Sequence, residues 1–312
     1  MSLKPRVTSL SRPVNLSGQT ALVIGATAGI GAALARQLAE MGATTIIVGR
    51  DPTKLDQMRG ALEAIAPGRI HTQLADLADL ASVEQAARAL RAYGRLDIVV
   101  SNASIRTSGA TRSFTKDGFE SSFGVNHLGN AAFLLALEAP LRAAPAGRVV
   151  IMASEAHRRA KALPMDDLMG ERNFDGVLAY NRSKLANILF ARQLAGRWAG
   201  LTVYAVHPGG VLTNMMTAPT GRSALSRLIF LLVRPLLLTP AEAAKGIIRI
   251  AADPQLAEPS GAYFELGRPS RPGKLADDQG LARQLYEKTI DLLTKAGFSS
   301  IGGPAASTSF PA

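Results

Sequence analysis

The chain has 312 residues, 47% of them hydrophobic and 19% charged, with no cysteine and a formal net charge of +11. That is ample material for one large core, and the lack of thiols excludes disulfides, cysteine metal sites and a thiol nucleophile. The basic balance raises the question of a polyanionic partner, but the arginines are scattered and form no block. Nucleic acid is therefore set aside for a solvated basic surface, with some cations left to serve a phosphorylated cofactor.

The first stretch, residues 1–16, is basic and polar without an apolar core, which fits a flexible leader and no secretory signal. From residue 17 to 298 apolar runs alternate with helix-period stretches. "TALVIG" (20–25) has the pattern of a buried strand, followed by a glycine turn and the helix "GAALARQLAEMG" (31–42). "TTIIVG" (44–49) predicts a second strand, 53–65 a helix, "RIHTQLAD" (69–76) a third strand and 80–94 a helix opening near a Ser82 cap. "LDIVVSNA" (96–103) continues the pattern, then a helix containing 125–144, the strand "GRVVIMAS" (147–154) and a helix across "AYNRSKLANILFARQLA" (179–195). "LTVYAVHP" (201–208), a helix at 240–254 and the strand "GAYFEL" (261–266) complete it. Nearly continuous apolar strands joined by helices predict an α/β chain, a single doubly wound domain whose parallel sheet is covered on both faces. The Ser/Gly/Pro-rich residues 299–312 read as a flexible tail.

No run reaches the roughly 20 apolar residues that span a bilayer. The nearest, "LIFLLVRPLLL" (228–238), is broken by Arg234 and Pro235 and reads as a buried or substrate-covering helix, with shallow membrane contact the lesser reading. A cytoplasmic location is expected. The four histidines, His71, His127, His157 and His207, show no metal-ligand spacing, and no metal is expected.

"GATAGIG" lies between the first strand and the first helix. Gly25, Gly29 and Gly31 permit a tight turn and close approach of backbone to a diphosphate, with helix N–H groups free to receive it. The second strand ends in "VGRD". An acidic residue there would accept from the adenosine ribose, whereas Arg50 suits a 2′-phosphate. NADP(H) is thus expected over NAD, although Asp51 could pair with Arg50 or face a ribose.

Together these motifs resemble the short-chain dehydrogenase/reductase family over roughly residues 17–295. The resemblance is carried by "GATAGIG", "SNAS" (101–104), "VNHLG" (125–129), "VVIMAS" ending in Ser154, "YNRSK" (180–184) and "HPGGVLT" (207–213). "SEAHR" (154–158), the long Ser154–Tyr180 spacing and "SKLANILFARQLA" are similar to the retinol dehydrogenase and protochlorophyllide reductase branch. The resemblance implies a Rossmann-type fold and a nicotinamide cofactor held by Gly25, Thr27, Gly29, Ile30, Gly31, Arg50, Asp76, Leu77, Asn102, Ala103, Tyr180, Lys184, Pro208, Gly209, Val211 and Thr213. It also implies a dimer or tetramer. The sequence departs from the family pattern at Ile24, where threonine is usual, and at Ser101-Asn102-Ala103-Ser104, where Asn-Asn-Ala-Gly is usual. Ser104 removes a glycine that would let the backbone pass close to the cofactor.

On a helix, Tyr180 and Lys184 lie one turn apart on one face. A free phenol titrates near pH ~10 and is a poor base at neutrality. One unit charge at ~4 Å and an effective dielectric of ~20 contributes about 4 kcal/mol, or ~3 pKa units, enough to make it useful. The resemblance adds Ser154 to hold the reacting oxygen and Asn126 to hold a water linking Lys184 to solvent. Glu155 and His157, just beyond Ser154, read as stabilising the loop or lining the substrate.

The segment 213–239, where the family builds its substrate cover, contains Met215, Met216, Leu225, Leu228, Ile229, Phe230, Leu231 and Leu232. Such an adaptable apolar lining favours a bulky lipophilic alcohol or carbonyl compound as the small-molecule partner. Three activities remain open: hydride transfer at a C–O group, reduction of a carbon–carbon double bond on the same scaffold, and cofactor binding without turnover.

Overall fold

The computed structural model describes residues 4–107, 109–212 and 234–301. Its sheet has the order β3-β2-β1-β4-β5-β6-β7-β8. The strands are β1 (Thr20–Ile24), β2 (Thr44–Gly49), β3 (Ile70–Leu74), β4 (Ile98–Ser101), β5 (Arg148–Met152), β6 (Thr202–His207), β7 (Tyr263–Glu265) and β8 (Arg268–Pro269). β1 to β7 run parallel, and β8 turns back antiparallel to β7.

Successive side chains of a strand point to opposite faces, and here both faces are dry. Leu22, Ile24, Val99, Val149 and Ile151 enter the core formed with α3 (Leu80–Arg91), α5 (Asn130–Ala136), α7 (Gly176–Arg197) and α9 (Gln279–Lys295). Ala21, Val23, Ile98, Val100 and Val150 enter the opposite core with α1 (Gly29–Glu40), α2 (Pro52–Glu63) and α8 (Pro240–Ala252). Two buried faces explain why the strands read as continuous apolar runs rather than alternating ones.

Four local expectations change. α3 is capped by Asp79, whose carboxylate accepts from the Ala81 and Ser82 N–H groups; Ser82 sits inside the first turn, and its hydroxyl accepts from Asp76 N–H instead. The helix expected across 125–144 is divided into the short α4 (Ser121–Phe123), a π-helical stretch Gly124–Gly129, α5 and α6 (Glu138–Arg142). Pro140 explains the last break: without an N–H it cannot bond the carbonyl of Ala136, which accepts from Arg91 Nε at 3.0 Å instead. α9 and β8 complete the C-terminal part, where the sequence pattern gave no element after 266. Finally, the described part of the leader lies on the fold. Leu16 is buried and its N–H donates to Met41 O, Thr8 N–H donates to Leu266 O, and Lys4 pairs with Glu242 at 3.1 Å.

At the other end, Ser299 and Ser300 donate to the Glu84 carboxylate. No helix among the described residues is long and apolar enough to cross a membrane. Thr213 and most of the expected substrate cover lie outside the described residues. Of that cover, Arg234–Leu236 forms a 3-10 turn, and Leu237 and Leu238 are buried.

Candidate active site

In the sheet β1 lies between β2 and β4, so the connections from its two sides part at its carboxyl end. Open α/β sheets bind ligands at such a switch point. A cleft of about 1140 Å³ opens there, between the glycine loop, the ends of β2 to β6 and the start of α7.

Gly25 has φ of +82°, and a Cβ on it would lie 2.7 Å from Ala103 Cα. A side chain is excluded twice over, by backbone hand and by space. At Gly31 any side chain would overlap the Gly25 carbonyl oxygen, the same oxygen that accepts from Asn102 Nδ2 at 2.9 Å. Thus the glycines let β1, α1 and the loop after β4 meet. α1 starts at Gly29 with no side-chain cap, and Thr27, Gly29 and Ile30 line the cleft. Uncapped first-turn N–H groups of this kind suit a diphosphate.

At the end of β2, Arg50 is exposed on the cleft wall. Asp51 is occupied: its carboxylate caps α2 by accepting from Lys54 N–H at 3.2 Å and pairs with Lys54 Nζ at 3.3 Å. Among the described residues nothing pairs Arg50 with Asp51. Asp76 and Leu77 line the next stretch of wall, with Asp76 accepting from Ala78 N–H.

The loop after β4 is tied down by buried amides. Ser101 Oγ donates to Asn130 Oδ1 at 2.6 Å, and Asn130 Nδ2 donates to Ala103 O at 3.1 Å. Ser104 adopts no left-handed backbone, since Leu266 is the one non-glycine with positive φ among the described residues. The loop therefore accepts a serine at that position without strain. Asn126 ties this loop to α7. Its Oδ1 accepts from Ile105 N–H at 2.7 Å, while its Nδ2 donates to Ile105 O at 2.9 Å and Ser183 Oγ at 3.0 Å. The side chain is fully buried within the π-helical stretch and fastens the loop to α7.

Ser154, Tyr180 and Lys184 do converge on the cleft. Ser154 follows β5 and caps the 3-10 turn Glu155–Arg159 by accepting from Ala156 N–H at 3.3 Å. His157 fixes that turn. Gly273 N–H donates to its Nε2 at 2.9 Å, so its proton sits on Nδ1 and is donated to Ser154 O at 2.6 Å. Burial lowers its pKa, in keeping with a neutral ring. Glu155 lines the cleft and pairs with Arg158 at 3.2 Å.

Lys184 is buried, its Nζ donating to Met152 O at 3.3 Å and lying 5.7 Å from the centroid of the Tyr180 ring. Burial brings its pKa down to about 8. For Tyr180, burial pushes the phenol above its ordinary value; the Ser154 hydroxyl, by hydrogen bonding, and then the Arg106 guanidinium oppose it. In the chain alone, desolvation thus outweighs these two groups.

Pro208, Gly209 and Val211 form the remaining wall. Cleft residues that the sequence reading missed include Arg106, Arg159 and Asn181. A deeper residue it missed is Asn187, which donates to Met152 O at 3.0 Å. Asn187 stands three residues after Lys184 on one helix, a spacing that could have revealed it; Arg106 carries no such signal.

The family profile described as short chain dehydrogenase matches residues 19–222. Among curated proteins, a Streptomyces sp. (strain C5) protein provisionally named a daunorubicin C-13 ketoreductase is 35% identical, covering 87% of this chain and 91% of its own. Human retinol dehydrogenase 14 is 34% identical, covering 91% and 89%. A crystallised, uncharacterised protein from Mycobacterium paratuberculosis superposes with a TM-score of 0.70 at 26% identity, covering 92% of this chain and 98% of its own. With its parallel sheet and glycine-loop cleft, the chain belongs to the short-chain dehydrogenase family of oxidoreductases.

Proposed function

We propose that the protein is an NADP(H)-dependent oxidoreductase that interconverts an alcohol and an aldehyde or ketone on a bulky substrate, with Tyr180 as the general acid and base. The observation that carries this reading is the convergence of Ser154, Tyr180 and Lys184 in the cleft that the glycine loop opens. A nicotinamide dinucleotide fits the residues present: Gly25 and Gly31 leave backbone where a side chain would intrude, and the α1 N-terminus is uncapped. Arg50, free of Asp51, suits a 2′-phosphate dianion better than a ribose hydroxyl.

When bound, the cofactor supplies or accepts the hydride. Everything else falls to the chain. Ser154 holds the reacting oxygen beside the phenol, and His157 keeps the serine's turn in place. Tyr180 gives its proton to that oxygen in reduction and takes it back in oxidation. Lys184, having used one of three donors on Met152 O, has others for the nicotinamide ribose, and its charge favours the phenolate. Asn126 acts as a positioning residue for the loop at Ile105. Retinol and a ketone of daunorubicin, the compounds in the relatives' names, are both bulky and both react at a C–O group, which supports this substrate class over a small acid or sugar.

The test is NADPH oxidation over a panel of bulky ketones and aldehydes, with NADH in parallel and products identified by mass. Tyr180→Phe is expected to lower turnover by roughly 10²–10⁴-fold while cofactor binding persists. Undiminished turnover in that variant refutes the assignment of Tyr180, and a saturated carbon–carbon bond as product refutes the C–O reaction.

A further inference from the structure

Among the described residues three guanidinium groups of the cleft wall, those of Arg50, Arg106 and Arg159, make no ion pair or hydrogen bond, and two of them come from the loops after β4 and β5 rather than from β2. Arg106 ends the loop after β4, with Cζ over the Tyr180 ring at 5.7 Å from its centroid, inside cation–π range. Arg159 ends the turn that Ser154 begins, and it lines the same cleft. Among the described residues neither side chain makes an ion pair or hydrogen bond. Their neighbours differ: Arg158 pairs with Glu155 and donates to Arg271 O at 2.7 Å, and Lys54 pairs with Asp51.

Among the described residues Asp76 is the one acid of the cleft wall without an ion pair, and it stands just after β3, on a different loop from either arginine. The acids of the cleft wall are Asp51, Asp76 and Glu155, engaged by Lys54, Ala78 N–H and Arg158 respectively. The residues outside the description, 1–3, 108, 213–233 and 302–312, contain no aspartate or glutamate. The dinucleotide's phosphates are served elsewhere, by the α1 N-terminus and Arg50. Arg106 instead lies over the Tyr180 ring, and Arg159 lines the same cleft from the end of the turn that Ser154 caps.

We infer that Arg106, with Arg159, forms an anion subsite, so that the substrate is a bulky carbonyl compound bearing a carboxylate or similar acidic group near the reacting carbon. The inference rests on the reading of Tyr180 and Ser154 as the reacting end of the cleft. A planar guanidinium fork matches a carboxylate with two parallel N–H···O bonds, and both arginines are exposed, so an acidic substrate entering from solvent can reach them. The apolar substrate body expected from residues 213–239 is compatible with this, but a wholly apolar substrate is not.

The probes are 4-acetylbenzoate and its methyl ester, titrated calorimetrically at pH 7 into the full-length protein saturated with NADP+. The acid is expected to bind roughly 10- to 100-fold more tightly than the ester, and Arg106→Met is expected to bring the two within about threefold. Equal or weaker binding of the acid, or a preference that survives Arg106→Met, overturns the subsite. NADPH-driven reduction of both compounds is followed separately. Reduction without acid preference removes the subsite and leaves the Tyr180 reading standing; acid preference abolished by Arg106→Met, with no reduction of either compound, keeps an anion site in the cleft but overturns its place beside the reacting carbon.

Discussion

Asn187 and Lys184 donate to one acceptor: the main-chain carbonyl of Met152 receives the amide at 3.0 Å and the ammonium at 3.3 Å. Met152 ends β5, two residues before Ser154, so this shared acceptor locks the helix bearing Tyr180 to the strand bearing Ser154. On its other side Asn187 Oδ1 faces His127 Nδ1 at 3.4 Å, and His127 Nε2 reaches Thr289 Oγ1 of α9 at 2.9 Å. Replacing Asn187 by leucine would leave a buried imidazole nitrogen without its partner. Asn187→Leu is expected to lower stability by about 1–3 kcal/mol, read from urea unfolding. An unchanged midpoint would mean that the amide holds nothing.

The glycine loop allows a sharper comparison, because two glycines share a hand but not a neighbourhood. Gly18 (φ +78°) has nothing within 4 Å of a built Cβ, whereas Gly25 (φ +82°) would bring its Cβ 2.7 Å from Ala103. Gly18→Ala should cost the backbone penalty alone, about 1–2 kcal/mol. Gly25→Ala adds overpacking of about 1–3 kcal/mol and displaces the loop that would face the cofactor. Thermal melts and NADP+ titration of both variants measure this; similar losses in the two would show that close approach at Ala103 is not the constraint.

Cofactor choice turns on Arg50. With Asp51 held by Lys54, Arg50→Ala is expected to weaken NADPH binding by roughly 10–100-fold and to leave NADH within about threefold. Fluorescence titration with both dinucleotides decides it. Equal losses would show that Arg50 does not read the 2′-phosphate.

How much of this was legible beforehand depended on how local each cause is. Both faces of the sheet are buried, so strands such as "LDIVV" announce themselves, and Gly25, Ser154, Tyr180 and Lys184 mark strand ends and a helix start within a few residues. α9 went unread although Ala282, Leu285, Thr289 and Leu293, its buried residues, follow helical spacing. Its apolar stripe is narrow, and a threonine sits in it. The contacts of Asn126 were hidden for a different reason. Its partner Ile105 lies 21 residues away, so no local spacing shows the pair. Arg106 meets the Tyr180 ring only through the tertiary fold, and no spacing could show it.

His127 makes the protein's acid response predictable. The ring is 1% exposed, with Phe123 and Phe190 at 5.0 and 5.4 Å between centroids. Its hydrogen-bond partners, Asn187 and Thr289, carry no charge. Burial lowers its pKa from 6.5 to about 4. His207, among Glu155, His157, Arg158 and Lys184, is lowered to about 4 as well, again first by burial. The sign follows from proton counting: between pH 6.5 and 4 the unfolded chain takes up protons that the folded imidazoles refuse, so stability falls as the pH falls. By pH 5 the loss from a fully buried imidazole is about 2 kcal/mol, and carboxylates at their ordinary values are still mostly ionised. Urea midpoints measured from pH 7.5 to 5 should therefore decline for the wild type. His127→Gln, which keeps a neutral amide in that space, should make the decline shallower, with His207 and His157 supplying what remains. The same slope in both proteins would place the acid sensitivity elsewhere and show that His127 is protonated without cost to the fold.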